Sequence, residues 1–337
     1  MFNTISVAGT HGKTSTSSMI RHILEDSIGC SYFVGAGDGR INPNSDIFVI
    51  ESDEFNKHLL TYYPTNSIIT NIEKEHMECY KDLQDIIDTF STFANHTKNR
   101  LIACGDNPNC HSLNTKTPIT YYGFNEDNDV IIKNHHVAED GETFDLYFKD
   151  KLFDTFTIPV YGKHMVLNAT AAIIMCNIYG ISKEQIKNSF KTFKNAKRRF
   201  AEEKVGNAII IDDYAHHPTE IKSALAAAKQ KEHKRIIAIF QPHTFSRTKE
   251  LLNDFATAFS DADIAIIADI YAAREKDDGT ISSKDLVEKL VNNKVNAIYL
   301  PTFDEIRKYL KENMKPGDII LTIGAGNITH LSDKLEN

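Results

Sequence analysis

Residues 5–15 run Ile5, Ser6, Val7, Ala8, Gly9, Thr10, His11, Gly12, Lys13, Thr14, Ser15, and beyond them Met19, Ile20, Ile23 and Leu24 fall at helical spacing. This order predicts a strand, a glycine turn and a helix. Glycines let backbone N–H groups wrap around an anion, and the N-terminus of a helix favours negative charge. In such a loop Lys13 can reach terminal phosphates and Thr14 can ligate Mg²⁺, with Gly9, Thr10, His11, Gly12 and Ser15 completing the cradle. The loop is shorter than G-x-x-x-x-G-K-[ST], which places a glycine where this chain has Val7.

Working outward, an apolar run over residues 47–50 ends in Glu51, Ser52, Asp53 and Glu54, and another over 67–70 ends at Asn71, followed by Glu73, Glu75 and His76. Ligands gather beyond the carboxyl ends of parallel strands, so Thr14, Glu51 and His76 are expected to share one pocket. Carboxylate and hydroxyl oxygens suit Mg²⁺, for which imidazole is a less usual partner. From residue 101 to about 159 the runs shorten and turn residues multiply, which predicts small antiparallel strands. Helices are expected over 166–179 and 183–193.

From residue 208 onward, strands near 208–211, 235–240, 264–268, 297–300 and 318–323 alternate with helical segments, the pattern of a largely parallel sheet wrapped by helices. A boundary is expected near Lys197, dividing the chain into residues 1–196 and 197–337. Asp213, Tyr214, His216 and His217 follow the first of these strands, Gln241, His243, Thr244 and Arg247 the second, and Tyr271 and Arg274 the third. Three loops of this kind at one sheet edge point to a ligand site. Adjacent histidines seldom point the same way, and no cysteine or H-E-x-x-H lies nearby, which weighs against zinc. In Lys197, Arg198 and Arg199 an arginine can clamp phosphate, or the run can simply complement a helix end. Gly324 to Asn327 reads as a tight turn.

The 337 residues suit two domains, and 38 basic against 46 acidic side chains, a net charge of −8, give no footprint for a long nucleic acid. With 41% apolar and 25% charged residues the chain is an ordinary globular one. Apolar runs such as 264–268 fall far short of the roughly 20 residues that cross a bilayer, so no membrane partner is expected. The N-terminus enters a strand directly, without a secretory pattern, and the expected compartment is the cytoplasm. Five scattered cysteines fit a reducing compartment and carry no assigned chemistry.

The segments G-T-H-G-K-T-S, T-N-I-E-x-E-H, G-K-H-x-V-L-N-A-x-A-A, K-R-R-F, D-D-Y-A-H-H-P-T-E and F-Q-P-H-T-F-S-R-T occur in that order from Ser6 to about Asn327. In this the chain resembles the Mur ligases of peptidoglycan synthesis. The resemblance implies an α/β protein: a P-loop central domain with a mostly parallel sheet plus small antiparallel strands, then a Rossmann-like α/β C-terminal domain. It implies an ATP- and Mg²⁺-dependent ligase that joins L-alanine to the carboxylate of UDP-N-acetylmuramate through an acyl phosphate. By resemblance Lys13 and the loop amides hold the ATP phosphates, while Thr14, Glu51 and His76 attend Mg²⁺. Asn168 meets adenine, Arg199 the phosphates and Asp213 the nucleotide. Tyr214, His216, His217 and Arg247 lie near L-alanine and the reacting carboxylate, with one of the two histidines assisting the amine.

The chain departs from the usual family pattern at Glu75, where an Asp is usual, at Met165, where an Asn is usual, and at Thr244, where an Arg is frequent. Family members also carry a UDP-binding domain before the phosphate loop. Here the loop begins at Gly9, so that domain is expected to be missing or separate. Two other readings stay open: a related ligase that attaches a preformed peptide, and a non-catalytic ATP-binding partner module.

Overall fold

The computed structural model describes residues 2–138, 141–205 and 208–334, and the elements named below belong to those residues. The chain divides into two compact units, Met1–Asn195 and Ala196–Asn337. In the first, one sheet contains β1 (Asn3–Ala8), β2 (Ser31–Val34), β3 (Asp38–Arg40), β4 (Ile47–Glu51), β5 (Asn66–Ile69), β6 (Arg100–Cys104), β7 (Ile119–Gly123), β8 (Val130–Ala138), β9 (Gly141–Phe148) and β10 (Lys151–Ile158). Their order is β10–β9–β8–β7–β6–β5–β1–β4–β2–β3. Pairing is parallel from β8 across to β2 and antiparallel at both margins.

Helices α1 (Lys13–Ser27), α2 (Leu83–His96), α3 (Lys163–Ile178) and α4 (Lys183–Phe190) cover the sheet. Successive strand residues point to opposite faces. Thus Ile68 joins the core made with Met19, Ile20 and Ile23 of α1 and Ile173 of α3, while Ile69 joins the one made with Ile86, Phe90 and Phe93 of α2. A strand buried on both faces explains the unbroken apolar runs in the sequence. In α3, Val166, Ala169, Ala172, Ile173 and Cys176 are all fully buried, as expected of a helix that is apolar around its whole circumference.

The α/β class is the one expected, but the onset of the antiparallel strands differs. Strands β6 and β7 belong to the parallel sheet, and antiparallel pairing starts only with β8 and β9. Leu101 and Ile102 are each fully buried, in cores on opposite faces, so β6 is an interior strand reached through the crossover helix α2. The antiparallel hairpins carry one buried carboxylate. Glu142, fully buried at the start of β9, accepts the Gly162 N–H at 2.7 Å and pairs with His135 Nε2 at 2.7 Å. Gly162 is the N-cap of α3, so this side chain ties the hairpins to that helix.

In the second unit the sheet contains β11 (Ala201–Val205), β12 (Ala208–Asp213), β13 (Arg235–Phe240), β14 (Ile264–Ile267), β15 (Ala297–Tyr299) and β16 (Asp318–Ile323), in the order β11–β12–β16–β13–β14–β15. All its pairs are parallel except β11 with β12. The last strand is inserted between the first two parallel ones, and a bidentate Arg235–Asp318 pair, at 3.0 and 2.6 Å, pins its register. Helices α5 (Pro218–Lys229) and α6 (Phe245–Glu250) follow β12 and β13. No helix among the described residues is long and apolar enough to cross a membrane.

Replacing Glu142 with Ala leaves the Gly162 N–H and the His135 ring without this acceptor. Urea denaturation is expected to show a loss of about 2–3 kcal/mol, with Glu142→Gln, which keeps one acceptor oxygen, losing less than about half as much.

Candidate active site

In the first unit the order β5–β1–β4 sets three loops side by side at the carboxyl edge. The loop after β1 turns through Gly9 (φ 135°) and Gly12 (φ 81°), both in backbone regions that favour glycine. It is held by the loop after β5. Asn71 accepts the His11 N–H on Oδ1 at 2.9 Å, donates Nδ2–H to the His11 carbonyl at 3.1 Å, and accepts the Thr10 N–H on its own carbonyl at 3.1 Å. Thr10 Oγ1 in turn accepts the Glu73 N–H at 2.9 Å, and His11 Nε2 lies 3.4 Å from Glu73.

Thr10 and His11, placed in the phosphate cradle by the sequence, give their N–H groups to Asn71. The first intrahelical bond of α1 runs from Thr16 N–H to the Gly12 carbonyl at 3.0 Å, which leaves Lys13, Thr14 and Ser15 as the N–H groups preceding it. A Cβ on Gly12 would stand 2.5 Å from Asn168 Oδ1, so α3 brings Asn168 directly against the end of the loop. Met165, one turn earlier, is buried and lies 3.8 Å from Asn168 Nδ2 through its sulfur.

Thr14 and Glu51 meet as expected: the hydroxyl lies 3.1 and 3.0 Å from the two carboxylate oxygens. Glu51 also accepts the Gly35 N–H at 2.8 Å. Gly35 did not stand out in the sequence, yet a Cβ there would come within 2.5 Å of Thr14 Oγ1 and 2.8 Å of Glu51 Oε2. Hydroxyl and carboxylate oxygens converging in this way are the hard donors that Mg²⁺ takes, so the residues fit that ion.

His76 (φ 55°) has different company. Its Nε2 is 3.8 Å from Glu54 Oε1, its Nδ1 is 3.7 Å from Glu78, and Phe55 packs edge-on at 5.1 Å. Asp53, Glu54 and His76 place one ligand-type atom each within 4.8 Å of the others. Lys13 Nζ donates to the Gly9 carbonyl at 2.6 Å, the Thr10 carbonyl at 3.2 Å and Glu54 Oε2 at 2.7 Å. Burial alone would lower the Lys13 ammonium, but Glu54, with Glu51 and Asp53, holds it above its ordinary value. Glu54 is the functional candidate that the sequence hid inside an acidic run. Its burial, at 2% exposure, and its bond from Lys13 distinguish it from a solvated carboxylate.

In the second unit the segment around Arg198 and Arg199 is stitched to the end of β12. The Arg198 carbonyl accepts the Tyr214 N–H at 2.7 Å, Arg198 Nε lies 3.4 Å from Asp212, and Asp213 Oδ2 accepts the Phe200 N–H at 2.8 Å. Both guanidinium groups lie against the Tyr214 ring, at 4.9 Å for Arg198 and 5.0 Å for Arg199. The His216 ring is 5.6 Å from Tyr214 and 6.1 Å from His243, which stacks on Tyr271 at 5.8 Å. Arg247 Nη1 donates to His243 Nδ1 at 2.9 Å and to its carbonyl at 3.0 Å. The loops after β12, β13 and β14 therefore do meet, and His243 joins Tyr214, His216 and Arg247.

His217 is occupied otherwise. It is the buried N-cap of α5, its Nδ1 accepting the Thr219 N–H at 3.3 Å, with Glu220 closing a capping box. The turn after β16 packs against Gln241, whose amide reaches Asn327 at 2.9 Å, and Gly324 N–H donates to the Asp213 carbonyl at 3.1 Å. Thr244 (φ 67°) is buried beside Ser246.

The Asp213 carboxylate is enclosed between the N–H groups of Phe200 and Ala215, although the residue keeps partial exposure. Burial raises it from 3.8 to about 6, against the pull of Arg199 and of both N–H groups. The folded state therefore holds this proton to a higher pH than the unfolded chain does. The stability it contributes is complete below about pH 4 and is lost as pH rises through about 6. In urea denaturation from pH 4 to 7, the parent is expected to lose about 2 kcal/mol relative to Asp213→Asn.

Residues 7–176 match the Mur ligase middle domain, and residues 198–326 match the domain described as Mur ligase, glutamate ligase domain. The chain is 40% identical over 330 residues to the UDP-N-acetylmuramate–L-alanine ligase of Ligilactobacillus salivarius (strain UCC118), covering 96% of this chain and 72% of that one. It is 40% identical over 329 residues to the enzyme of the same name from Lactococcus lactis subsp. cremoris (strain MG1363), covering 97% and 73%. Among solved structures it resembles the UDP-N-acetylmuramate-alanine ligase MurC of Thermotoga maritima, with TM-score 0.82 at 23% identity over 99% of this chain and 74% of that one. It also resembles MurF of Acinetobacter baumannii, with TM-score 0.80 at 16% identity over 99% and 76%. At such identities the structural likenesses speak for the fold alone. With both units matched by family domains and two relatives at 40% identity across nearly the whole sequence, the chain belongs to the Mur ligase family.

Proposed function

We propose that the chain is an ATP-dependent ligase of the cytoplasm that joins L-alanine to the carboxylate of UDP-N-acetylmuramate. The observation that carries this reading is the 40% identity, over 96% of the chain, to a ligase named for those two substrates. The first unit supplies the ATP site: Lys13 and the N–H groups of Lys13, Thr14 and Ser15 for the phosphates, and Asn168 for adenine. Thr14 and Glu51 would hold Mg²⁺, which neutralises phosphate charge when bound, whereas His76 lies beside Glu54 and Glu78 instead. Arg199 and Asp213 of the second unit serve the nucleotide, and Tyr214, His216 and Arg247 the amino acid.

In the first step an oxygen of the acceptor carboxylate bonds to the γ-phosphorus as the bond to ADP breaks. The amine of L-alanine then attacks the acyl carbon, inorganic phosphate leaves, and the amine gives up a proton. Phosphoryl transfer asks the protein mainly for position and cationic charge, the task of Lys13 and Arg199. For the amine proton the geometry favours His216 over His217, whose Nδ1 is engaged in capping α5. A proton on His216 Nδ1, directed at the Tyr214 carbonyl at 3.1 Å and Glu220 at 3.4 Å, leaves Nε2 as the basic nitrogen.

Purified protein, alone and with a UDP-binding domain supplied in trans, is expected to release ADP only when ATP, Mg²⁺, UDP-N-acetylmuramate and L-alanine are all present. Release with a tripeptide in place of L-alanine, or with no acceptor at all, would overturn the reading. Gly35→Ala pushes on Thr14 and Glu51 together. It is expected to raise the Mg²⁺ concentration for half-maximal rate by about tenfold, with KM for ATP at saturating Mg²⁺ changing by less than about twofold.

A further inference from the structure

Lys13 uses all three of its N–H donors within the protein, on two backbone carbonyls and on Glu54. A phosphate oxygen can engage that ammonium only by displacing one of the three. The carbonyls of Gly9 and Thr10 belong to the loop that carries Lys13 and are fixed by its fold. Glu54 is the one acceptor on a side chain, and the one that is anionic.

The structure also holds Glu54 firmly and gives it a second partner. Its backbone carbonyl accepts the Tyr80 hydroxyl at 2.5 Å and the Lys57 N–H at 2.9 Å, closing a turn in which Asn56 and Lys57 have φ of 52° and 58°. Its carboxylate is 3% exposed, and its other oxygen faces His76 Nε2 at 3.8 Å. A buried carboxylate that loses its cation is strongly disfavoured, which keeps Glu54 on Lys13 until another anion takes its place. Burial pushes the Glu54 carboxyl upward while Lys13 pulls it back, as expected of a charge held in place by one partner.

We propose that Glu54 is a positioning residue that competes with nucleotide phosphate for the Lys13 ammonium, holding the lysine against the Gly9 and Thr10 carbonyls until phosphate displaces the carboxylate. The proposal rests on the nucleotide-site reading above and adds a residue that keeps that site from binding nucleotide at full strength. A carboxylate in this place repels phosphate and occupies its cation, so removing its charge strengthens nucleotide binding. A purely structural role for Glu54 gives the opposite sign, because disturbing the loop weakens binding.

The test is ADP binding by isothermal titration in EDTA, where no divalent cation intervenes. Glu54→Gln, an isosteric change that still accepts one hydrogen bond from Lys13, is expected to lower Kd about tenfold. Glu54→Asp, which draws the carboxylate back by one methylene, is expected to lower it about threefold, and it decides the matter should Glu54→Gln fail to fold. In a Lys13→Met background the effect of Glu54→Gln is expected to shrink below about threefold, because no ammonium remains to be released. Unchanged or weaker binding in both Glu54 variants overturns the proposal while leaving the nucleotide site standing. A full tenfold gain in the Lys13→Met background overturns the competition for Lys13 and leaves plain repulsion between Glu54 and phosphate. Failure of the parent chain to bind ADP overturns the nucleotide-site reading and this proposal together.

Discussion

The parallel pairing of β1 with β4 on one side and β5 on the other is the constraint on which the first unit's chemistry depends. Ser6 sits opposite Ile50 and Ser67, and Val7 opposite Glu51 and Ile68. This register sets the end of β1, where Gly9 begins its turn, beside the carboxylate that meets Thr14. A slip of one residue in β4 would turn Glu51 to the other face of the sheet and carry Val49 out of the core. Fully buried Ile5, Val7 and Val49 resist such a slip. The apolar packing of the sheet thus fixes a polar contact at its edge.

The second unit reaches a similar result by a different strand order. Insertion of β16 between β12 and β13 brings the Gly324 turn between the loops that carry Asp213 and Gln241. Arg198 and Tyr214 then close the end of β12 from the other side. The Asp213 carboxylate is enclosed by this closure, and it keeps its place through two backbone N–H groups rather than through a single ion pair. A carboxylate held in that way depends on the loop that surrounds it. Asp213 and the segment from Arg198 to Phe200 therefore form one structural piece.

Much of this was legible in the sequence, for identifiable reasons. Strand, glycine turn and helix are local features, and the five parallel strands of the second unit are marked by apolar runs at regular intervals. Glu51 could be read because it ends such a run. Glu54 and Gly35 could not, since their roles come from contacts with residues 41 and 21 positions away in Lys13 and Thr14, and neither carries a local mark. The resemblance places His217 with His216 beside the amino acid. The capping box with Glu220 was available to the eye as H-P-T-E, but a histidine is an uncommon cap. The strands β2, β3 and β11 lie at or near sheet margins and are short; β3 is exposed throughout and β11 at four of its five residues, so neither shows an apolar alternation.

What the sequence could not show at all is where the backbone is strained. His76, Arg198, Phe200, Thr244 and Ala273 all have φ between 52° and 67° without being glycine, and all lie in or beside the candidate-site loops. Each such residue costs about 1–3 kcal/mol unless its surroundings hold it there. Several of the holding contacts are visible: the Tyr214 N–H on the Arg198 carbonyl, Asp213 on the Phe200 N–H, and the Thr244 N–H on the Tyr271 carbonyl at 3.0 Å. These bonds join one loop to another rather than a loop to itself. The strain is therefore carried by the neighbouring strands, whose rigidity lets the loops keep conformations that would relax in isolation. That is the physical reason for building such a site at the edge of a sheet buried on both faces: the apolar interior supplies the stiffness that the polar edge lacks.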